Sequence, residues 1–521
     1  MPTRPPRDAL IEADPSLLRA IARAGHVESA VGFVVGVALL ACGVLALVSA
    51  AAGLIDGRDP EILALLAAVW AVAGGLLVRS CHPPARLRSS TAFAGVLASW
   101  LTLIAVSTVT YEVLGTFEHL DDSLFESVAG FTTTASSVLG DPESVARGVL
   151  AWRAGTQWLG GLAALVFVVA VLPSIGVGGL DVTSAGYRYS GTSLRSHRTL
   201  ASMRRLLTLY VIFTVAGVGL YLVAGMGPFD AVTYAATTIS TGGFANHAGS
   251  FSHFESTAVE WAGFGGMVLG GANMALLYRT LRGRDLRGAV RSFELRAYLA
   301  AIVVGGTIVT LATAPTGGIT HESLRHAYFH VASATSTTGH WVGLGWGEWS
   351  VAPQVLLLAI MGVGSMSGSA GGGFRQVRAL ALVGYLRREL ILQLHPRAVA
   401  AVRVGRRPVS EELVGRMIGY QAQYLMVAGL GAVVVAVLGG DLVTSITGSI
   451  SALANVGPAL GELVPGAGGI RVLSRPERAA LLPLMLLGRL EIAPVLVGLG
   501  LAATGVRRVV QRGAGRGDTV D

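Results

Sequence analysis

The chain has 521 residues, of which 52% are hydrophobic and only 13% charged, with a net charge of +8. Soluble globular domains carry about 25% charged residues, so a water-soluble enzyme core is excluded as the main architecture. The basic charge is all arginine; the absence of lysine also excludes a phosphate-binding P-loop and Schiff-base chemistry.

In chain order, Arg4, Arg7, Arg19 and Arg23 precede an uncharged run, Ser29–Ile55. That run is too long for a removable signal and lacks a cleavage site. A second run, Ile62–Val78, leads into Arg79, Arg86 and Arg88. Uncharged runs then recur at Ser89–Tyr111, Ala154–Leu180, Leu206–Phe229, Ala297–Thr320, Ser350–Phe374 and Met417–Gly440. About 20 apolar residues span a bilayer as a helix, so the runs predict an all-α integral membrane protein with the lipid bilayer as its surroundings. Cys42 and Cys81 fit no metal-ligand spacing. Arginine clusters at Arg188–Arg205, Arg279–Arg296, Arg378–Arg407 and Arg507–Arg516 occupy every second connection, whereas Glu118–Glu126 is acidic. The excess of arginine on cytoplasmic loops then puts both termini and all the basic loops in the cytoplasm. Spacing at every second connection is a sign of topology, not of nucleic-acid binding.

After the first two runs the chain repeats, and internal repeats of this kind mark an architecture built from one unit. A long apolar segment, a short polar-tinged one and another long one recur four times. The short segments are Ser123–Leu139 (SLFESVAGFTTTASSVL), Pro228–His247 (PFDAVTYAATTISTGGFANH), Ser323–Trp341 (SLRHAYFHVASATSTTGHW) and Asp441–Leu460 (DLVTSITGSISALANVGPAL). Non-helical backbone at membrane depth is tolerated only where it is buried in protein or lines a watery cavity. A half-helix that stops inside the membrane aims about half a negative charge at its centre. Four such ends make a cation site, and the loops after them can replace water with backbone and hydroxyl oxygens. Glycine in the loop allows a positive φ.

Several motifs resemble the TrkH-type subunits of bacterial Trk potassium uptake systems, in the Trk/Ktr/HKT superfamily. They include WRAGTQWLGG (Trp152–Gly161), AGMGPFDA (Ala224–Ala231), STGGF (Ser240–Phe244), GGANMAL (Gly270–Leu276) and GSAGGGFRQVR (Gly368–Arg378). Further along are LHPRAV (Leu394–Val399), GRRPVSEE (Gly405–Glu412), ANVGPALG (Ala454–Gly461) and MLLGRLEI (Met485–Ile492). The resemblance runs from about Pro83 to Val506. It implies ten transmembrane helices: two leading helices and four pseudo-symmetric helix–pore-loop–helix repeats around one central ion pore. The units are then 1–88 (cytosolic N-terminus and leading helices), 89–200, 201–292, 293–408 and 409–521, the last with a cytosolic tail. It further implies potassium uptake across the cell inner membrane, a homodimer, and a cytosolic nucleotide-binding regulatory subunit of the TrkA type. The transported ion is K⁺, or Na⁺ in the alternative reading, and no organic cofactor is expected.

Carried across, the filter residues are Thr133, Thr134 and Ala135; Ser240, Thr241 and Gly242; Thr337, Thr338 and Gly339; and Asn455, Val456 and Gly457. Ala135 stands where the pattern calls for glycine. In the plant HKT branch, serine at that place goes with Na⁺ preference, so a Na⁺-permeable or weakly selective pathway is the alternative. A non-conducting homologue is the other.

Two further elements read as gates. Met361–Phe374 holds six glycines; each costs about 1 kcal/mol in a helix relative to alanine, so a broken helix with a mobile loop is expected over Gly368, Ser369, Ala370, Gly371, Gly372 and Gly373. Arg489 interrupts the last apolar segment near Glu491. A charge at membrane depth costs about 2.5–3.5 kcal/mol and should face the interior or a watery path; in the family it is a barrier in the pore below the filter. Asp121 and Asp122 either concentrate cations at the mouth or form a solvated face. His321, His326, His330 and His340 cluster near the third loop without a paired carboxylate, which argues against an intramembrane enzyme.

Overall fold

The computed structural model describes residues 15–82, 89–170, 197–283, 285–314, 318–343, 346–347, 349–405, 407–464 and 468–500. Arg4, Arg7, Arg86, Arg88, Arg188 and the Arg507–Arg516 cluster fall outside them. Two leading helices, α1 (Pro15–Gly53) and α2 (Pro60–Ser80), form an antiparallel pair. Gly36 and Gly74 sit at their crossing, where a methyl group at Gly74 would lie 2.7 Å from the Gly36 carbonyl oxygen.

Four units follow. The first has α3 (Ser89–Val113), a short α4 (Leu120–Thr132) and α5 (Arg147–Ala170). The second has α6 (His197–Ala224), a short α7 (Pro228–Ile239) and an outgoing helix broken into α8 (Thr257–Gly270) and α9 (Met274–Gly283). After the five-residue α10 (Leu286–Val290), the third has α11 (Phe293–Thr313), a short α12 (His321–Ser336) and the broken pair α13 (Val351–Val363) and α14 (Gln376–Leu394). A small antiparallel hairpin, β1 (Arg403–Val404) and β2 (Arg407–Pro408), leads to the fourth: α15 (Glu411–Val437), a short α16 (Leu442–Ala454), α17 (Arg475–Leu490) and α18 (Ile492–Gly500).

Among the described residues, six helices are long and apolar enough to cross a membrane, or seven if the α17–α18 pair, bent by 105°, is one span. The incoming helices α3, α6, α11 and α15 pass this test; the outgoing ones are broken or carry buried polar groups such as Arg153, Gln157 and Arg489. For α5 the physical reason is position: no residue from Gly148 to Val168 is exposed, so its polar groups meet protein rather than lipid.

The starts of the short helices are chemically marked. Asp121 and Asp122 lie in the first turn of α4, and Pro228 and Asp230 open α7. Thr320 and Ser323 form a reciprocal cap on α12. Asp441 accepts from the amides of Val443 and Thr444 on α16. The caps on α12 and α16 are partners that orphaned N-terminal amides require; on α4 and α7 no side chain caps the helix, and the acidic residues only place negative charge near the positive helix end.

The four units close on themselves. Each short helix packs on its own incoming helix and also on the outgoing helix of the preceding unit: α7 on α5, α12 on α8, α16 on α13, and α4 on α17. The last of these joins the fourth unit to the first, which makes a ring.

Candidate functional site: four loops around one axis

The short helices end alike. A left-handed residue follows each, directly after α4, α12 and α16 and one residue later after α7: Thr133 (φ 55°), Thr241 (55°), Thr337 (61°) and Asn455 (55°). The next amide in each loop bonds back five residues, Thr134 to Ala129, Gly242 to Thr237, Thr338 to Ser333 and Val456 to Ser451, at 2.7–3.0 Å. This is a Schellman-type ending, built on threonine or asparagine where glycine would cost less. Left-handed non-glycine residues are strained by about 1–3 kcal/mol and cluster at functional sites.

The shared hydrogen-bond pattern fixes which residues correspond, and it corrects one alignment. In the second loop the counterparts of Thr133, Thr134 and Ala135 are Thr241, Gly242 and Gly243. Ser240 belongs to the end of α7, like Thr132, Ser336 and Ala454. The glycine that takes positive φ there is Gly243 (80°), alongside Gly339 (83°) and Gly457 (104°). The STGGF motif holds two adjacent glycines; the resemblance points to Gly242, and the hydrogen-bond pattern to Gly243.

Ala135, the fourth member of that set, is not among the left-handed residues. Loop one therefore takes a different turn at this position, and Ala135 carries no left-handed strain. Its amide donates to the Val456 carbonyl at 3.1 Å. Its methyl lies where the other loops meet: a methyl group at Gly243 or Gly339 would come within 2.6 and 2.4 Å of it. The four positions 135, 243, 339 and 457 all line one cavity of about 270 Å³, on the side of the ring where the short helices begin.

One step below, Thr133 Oγ1 and Asn455 Oδ1 are buried without a hydrogen-bond partner. Thr337 Oγ1 accepts from the Gly372 amide at 2.7 Å, and Thr241 Oγ1 donates to the Ser240 carbonyl. Orphaned buried oxygens are expensive unless something occupies them, and a dehydrated monovalent cation is one such partner.

Outgoing helix α5 braces loops one and two. Gln157 donates to the Gly242 carbonyl (2.8 Å) and accepts from the Phe244 amide (3.0 Å). Arg153 pairs with the fully buried Glu126 (2.8 Å), and both touch Ser137. Arg153 also stacks 4.5 Å over the Phe244 ring. These residues lie in the WRAGTQW motif, where buried Arg and Gln four apart on one helix face were the available signal.

Beneath the loops, α13 stops at Val363 and the backbone runs irregularly to Arg375 before α14 begins. The segment is tied to its neighbours. The Gly373 amide donates to the Ala454 carbonyl (3.1 Å), the Met274 amide to Gly368 (3.1 Å), and Asn273 Nδ2 to Ser367 (2.6 Å). Gly371 and Gly372 lie against the ends of α12 and α16, where methyl groups would come within 2.6 Å of the Ser336 and 2.2 Å of the Ala454 carbonyl oxygen.

That close approach recurs in every unit. Gly160 lies on the end of α4 and Gly161 on Ser240; Gly270 on the end of α7 and Gly271 on Ser336. In the fourth unit Gly488 lies on the end of α16, with a methyl group reaching 2.0 Å from the Leu453 carbonyl oxygen, but the next residue is Arg489. Arginine thus stands where the other three units have Gly161, Gly271 and Gly372. Its buried guanidinium donates to the Ala370 carbonyl (2.7 Å) and the Gly160 carbonyl (3.2 Å). The pairs were visible in the motifs as WLGG, GGANM, SAGGG and LLGRL. Glu491 does not pair with Arg489; it binds Arg378 at 2.7 Å.

The acidic pair at the mouth is not free. Asp122 binds Arg478 (2.6 Å) and Asp121 faces Arg475 (3.6 Å). Of the histidines near loop three, His340 is buried in the contact between loops two and three, 3.4 Å from Thr237 and Thr238. His330 Nε2 donates to the Val342 carbonyl of the same loop at 3.0 Å.

A family model described as a cation transport protein, TrkH, matches residues 59–501. The chain belongs to the TrkH family. The Trk system potassium uptake protein TrkI of Halomonas elongata is 31% identical over 85% of this chain and 90% of its own length. The TrkH protein of Escherichia coli K12 is 28% identical over 79% of this chain and 85% of its own. The crystal structure of the potassium transporter TrkH from Vibrio parahaemolyticus superposes with a TM-score of 0.81 at 25% identity, covering 90% of this chain and 98% of that one.

Proposed function

We propose that this TrkH-family chain is the ion-conducting subunit of a Trk-type potassium uptake system. The observation that carries the reading is the ring of four re-entrant helices whose ends and loops converge beneath one cavity, with orphaned oxygens of Thr133 and Asn455 below it. Four negative helix ends and inward oxygens suit a monovalent cation with its water removed. The filter is Thr133–Ala135, Thr241–Gly243, Thr337–Gly339 and Asn455–Gly457, and K⁺ is the cargo. Inward movement of one charge gains about 2.3 kcal/mol per 100 mV of membrane potential.

The irregular Gly364–Arg375 segment and Arg489 form the gate below the filter, linked by the bond from Arg489 to the Ala370 carbonyl. The repeat units 89–200, 201–292, 293–408 and 409–521, the inner-membrane location with cytoplasmic termini, the homodimer and the TrkA-type regulatory partner complete this reading.

The second reading, a pathway that also passes Na⁺, is favoured by Ala135. Its methyl and its bond to Val456 break the fourfold pattern, and an uneven cage discriminates ion sizes less sharply. Rubidium and sodium fluxes in proteoliposomes of the purified chain decide between them. Rubidium uptake well above sodium uptake is expected for the first reading and equal rates for the second; no flux of either ion above protein-free vesicles overturns both.

A further inference from the structure

One group of side chains on the cavity side has no part in the filter. His247, on the wall of the 270 Å³ cavity, is flanked on both ring nitrogens by carboxylates: Nδ1 lies 3.4 Å from Glu143 Oε1 and Nε2 lies 3.4 Å from Asp230 Oδ1. Both nitrogens are buried and lack a good hydrogen bond. The ring of His253 stacks on His247 with centroids 3.5 Å apart, and ligand atoms of Glu143, His247 and His253 lie within 4.8 Å of one another.

A neutral imidazole offers a donor at one nitrogen and an acceptor at the other. With the proton on Nε2, facing Asp230, the Nδ1 lone pair faces a carboxylate. Two acceptors opposed in this way are reconciled either by a second proton on the ring or by a metal cation between them, and the stacked His253 ring beside the pair supplies the further ligand that a metal would use. The 3.4 Å separation of Nδ1 and Oε1 is that of two ligands at about 2.0–2.1 Å from one tetrahedral ion.

The carboxylates are held for the task. Glu143 accepts from the Ala248 amide (3.1 Å), and Asp230 accepts from Asn246 (2.8 Å). Asp230 then fixes the His247 tautomer from behind, the carboxylate–histidine arrangement that supports metal-bound imidazoles. His253 is exposed, so its ring can turn out of the stack to bring a nitrogen to the same point.

We propose that Glu143, His247 and His253 form a site for a divalent transition-metal ion of the zinc type, and that an ion there hinders cation entry into the cavity. Two imidazoles and one carboxylate favour zinc, cobalt, nickel or copper over calcium or magnesium, which prefer all-oxygen cages. A double positive charge on the cavity wall repels incoming cations through a partly dehydrated space. The second half of the proposal rests on the cavity being the entrance to the ion path.

The test uses the purified full-length chain, with cobalt as the spectroscopic probe and zinc as the blocker. One cobalt per chain with tetrahedral d–d absorption is expected, weakened at least tenfold by His247→Ala or Glu143→Gln and ~10–100-fold by Asp230→Asn. In proteoliposomes, external zinc should slow rubidium uptake, with the half-blocking concentration raised at least about tenfold in the same variants, each against its own zinc-free rate. No stoichiometric cobalt binding, or binding retained in both His247→Ala and Glu143→Gln, overturns the site. Binding without block overturns the entry role. Absent rubidium flux in every protein counts against the transport reading and leaves the cobalt result to judge the site.

Discussion

The amide of Ala135 donates to the carbonyl of Val456, 3.1 Å away, tying the first loop to the fourth, its neighbour in the closed ring. In the other loops the matching residue is a left-handed glycine, and its conformation is one that alanine adopts only at a cost of about 1–2 kcal/mol. Ala135 avoids that cost by turning differently, and its methyl then fills the point where Gly243 and Gly339 approach. Ala135→Gly removes the methyl and opens the left-handed region, so the loop can take up the turn of the other three. The K⁺/Na⁺ permeability ratio should rise roughly fivefold, equivalent to about 1 kcal/mol. Reversal potentials in bi-ionic solutions measure it, and an unchanged ratio counts against a role for this residue in selectivity.

The converse substitution should be far more damaging. At Gly339 an added methyl would sit 2.3 Å from the Val456 carbonyl oxygen and 2.4 Å from the Ala135 Cβ, in a backbone with φ of 83°. At Gly243 it would sit 2.0 Å from the Thr338 carbonyl oxygen. Both neighbours are backbone or a short side chain with nowhere to move. Gly339→Ala and Gly243→Ala should each reduce rubidium uptake at least about tenfold, the effect of roughly 1.4 kcal/mol on the barrier. Gly242→Ala separates the two glycines of the second loop: its added methyl would displace the Gln157 side chain and its two bonds to the loop, but there is no positive φ to satisfy and no backbone atom in the way. Gly242→Ala losing more activity than Gly243→Ala would restore the alignment that sequence matching favours.

Much of this was legible in the residues. Charge-free runs and spaced arginines carry the membrane topology because lipid penalises charge directly. The four polar short segments were visible for the same reason. The register of the second loop was not, because Gly242 and Gly243 are chemically identical neighbours and only the bond from the Gly242 amide to Thr237 distinguishes them. The turn at Ala135 was equally hidden: its identity announces a conflict with a left-handed conformation, but the choice between strain and a new turn depends on Val456, over three hundred residues away. Gln157 and the Glu126–Arg153 pair lay in a recognised motif, yet their partners come from other segments of the chain.

The start of α16 gives a stability prediction with a definite pH sign. Asp441 accepts from the amides of Val443 and Thr444, and its bonds to Thr444 hold its carboxyl below the usual carboxylate range. A group whose pKa is depressed on folding contributes stability above its unfolded pKa, and loses it as pH falls through the folded value. The contribution is therefore complete at neutral pH and fades below about pH 4. Asp441→Ala should cost about 1 kcal/mol at pH 7, as for other lost helix caps, and less at pH 3. Thermal unfolding of the detergent-solubilised protein at the two pH values provides the measurement; an equal deficit at both would mean that the carboxylate charge is not what holds the cap.

Arg489 combines two effects that substitution can separate. As a charge it stands where three other units have glycine, and in the proposed gate it would repel cations. As a donor it binds the Ala370 carbonyl of the irregular segment and the Gly160 carbonyl of α5, so it also ties that segment across the ring. At an effective dielectric of about 20, two unit charges about 6 Å apart repel by nearly 3 kcal/mol, which bounds the first effect; each charge-assisted bond is worth about 1.5–3 kcal/mol, which bounds the second. Arg489→Gln removes the charge while keeping a donor, and Arg489→Lys keeps the charge while losing the two-armed grip. If charge dominates, Arg489→Gln should raise rubidium uptake on the order of tenfold and Arg489→Lys should resemble the parent. If the tether dominates, both variants should conduct faster to a similar degree, because neither can hold Ala370 and Gly160 together. We expect Arg489→Gln to be the faster of the two, since the desolvated cation meets the charge directly while the irregular segment keeps its bonds to Ala454, Thr337 and Asn273. Uptake in both variants at or below the parental rate would remove Arg489 from the gate.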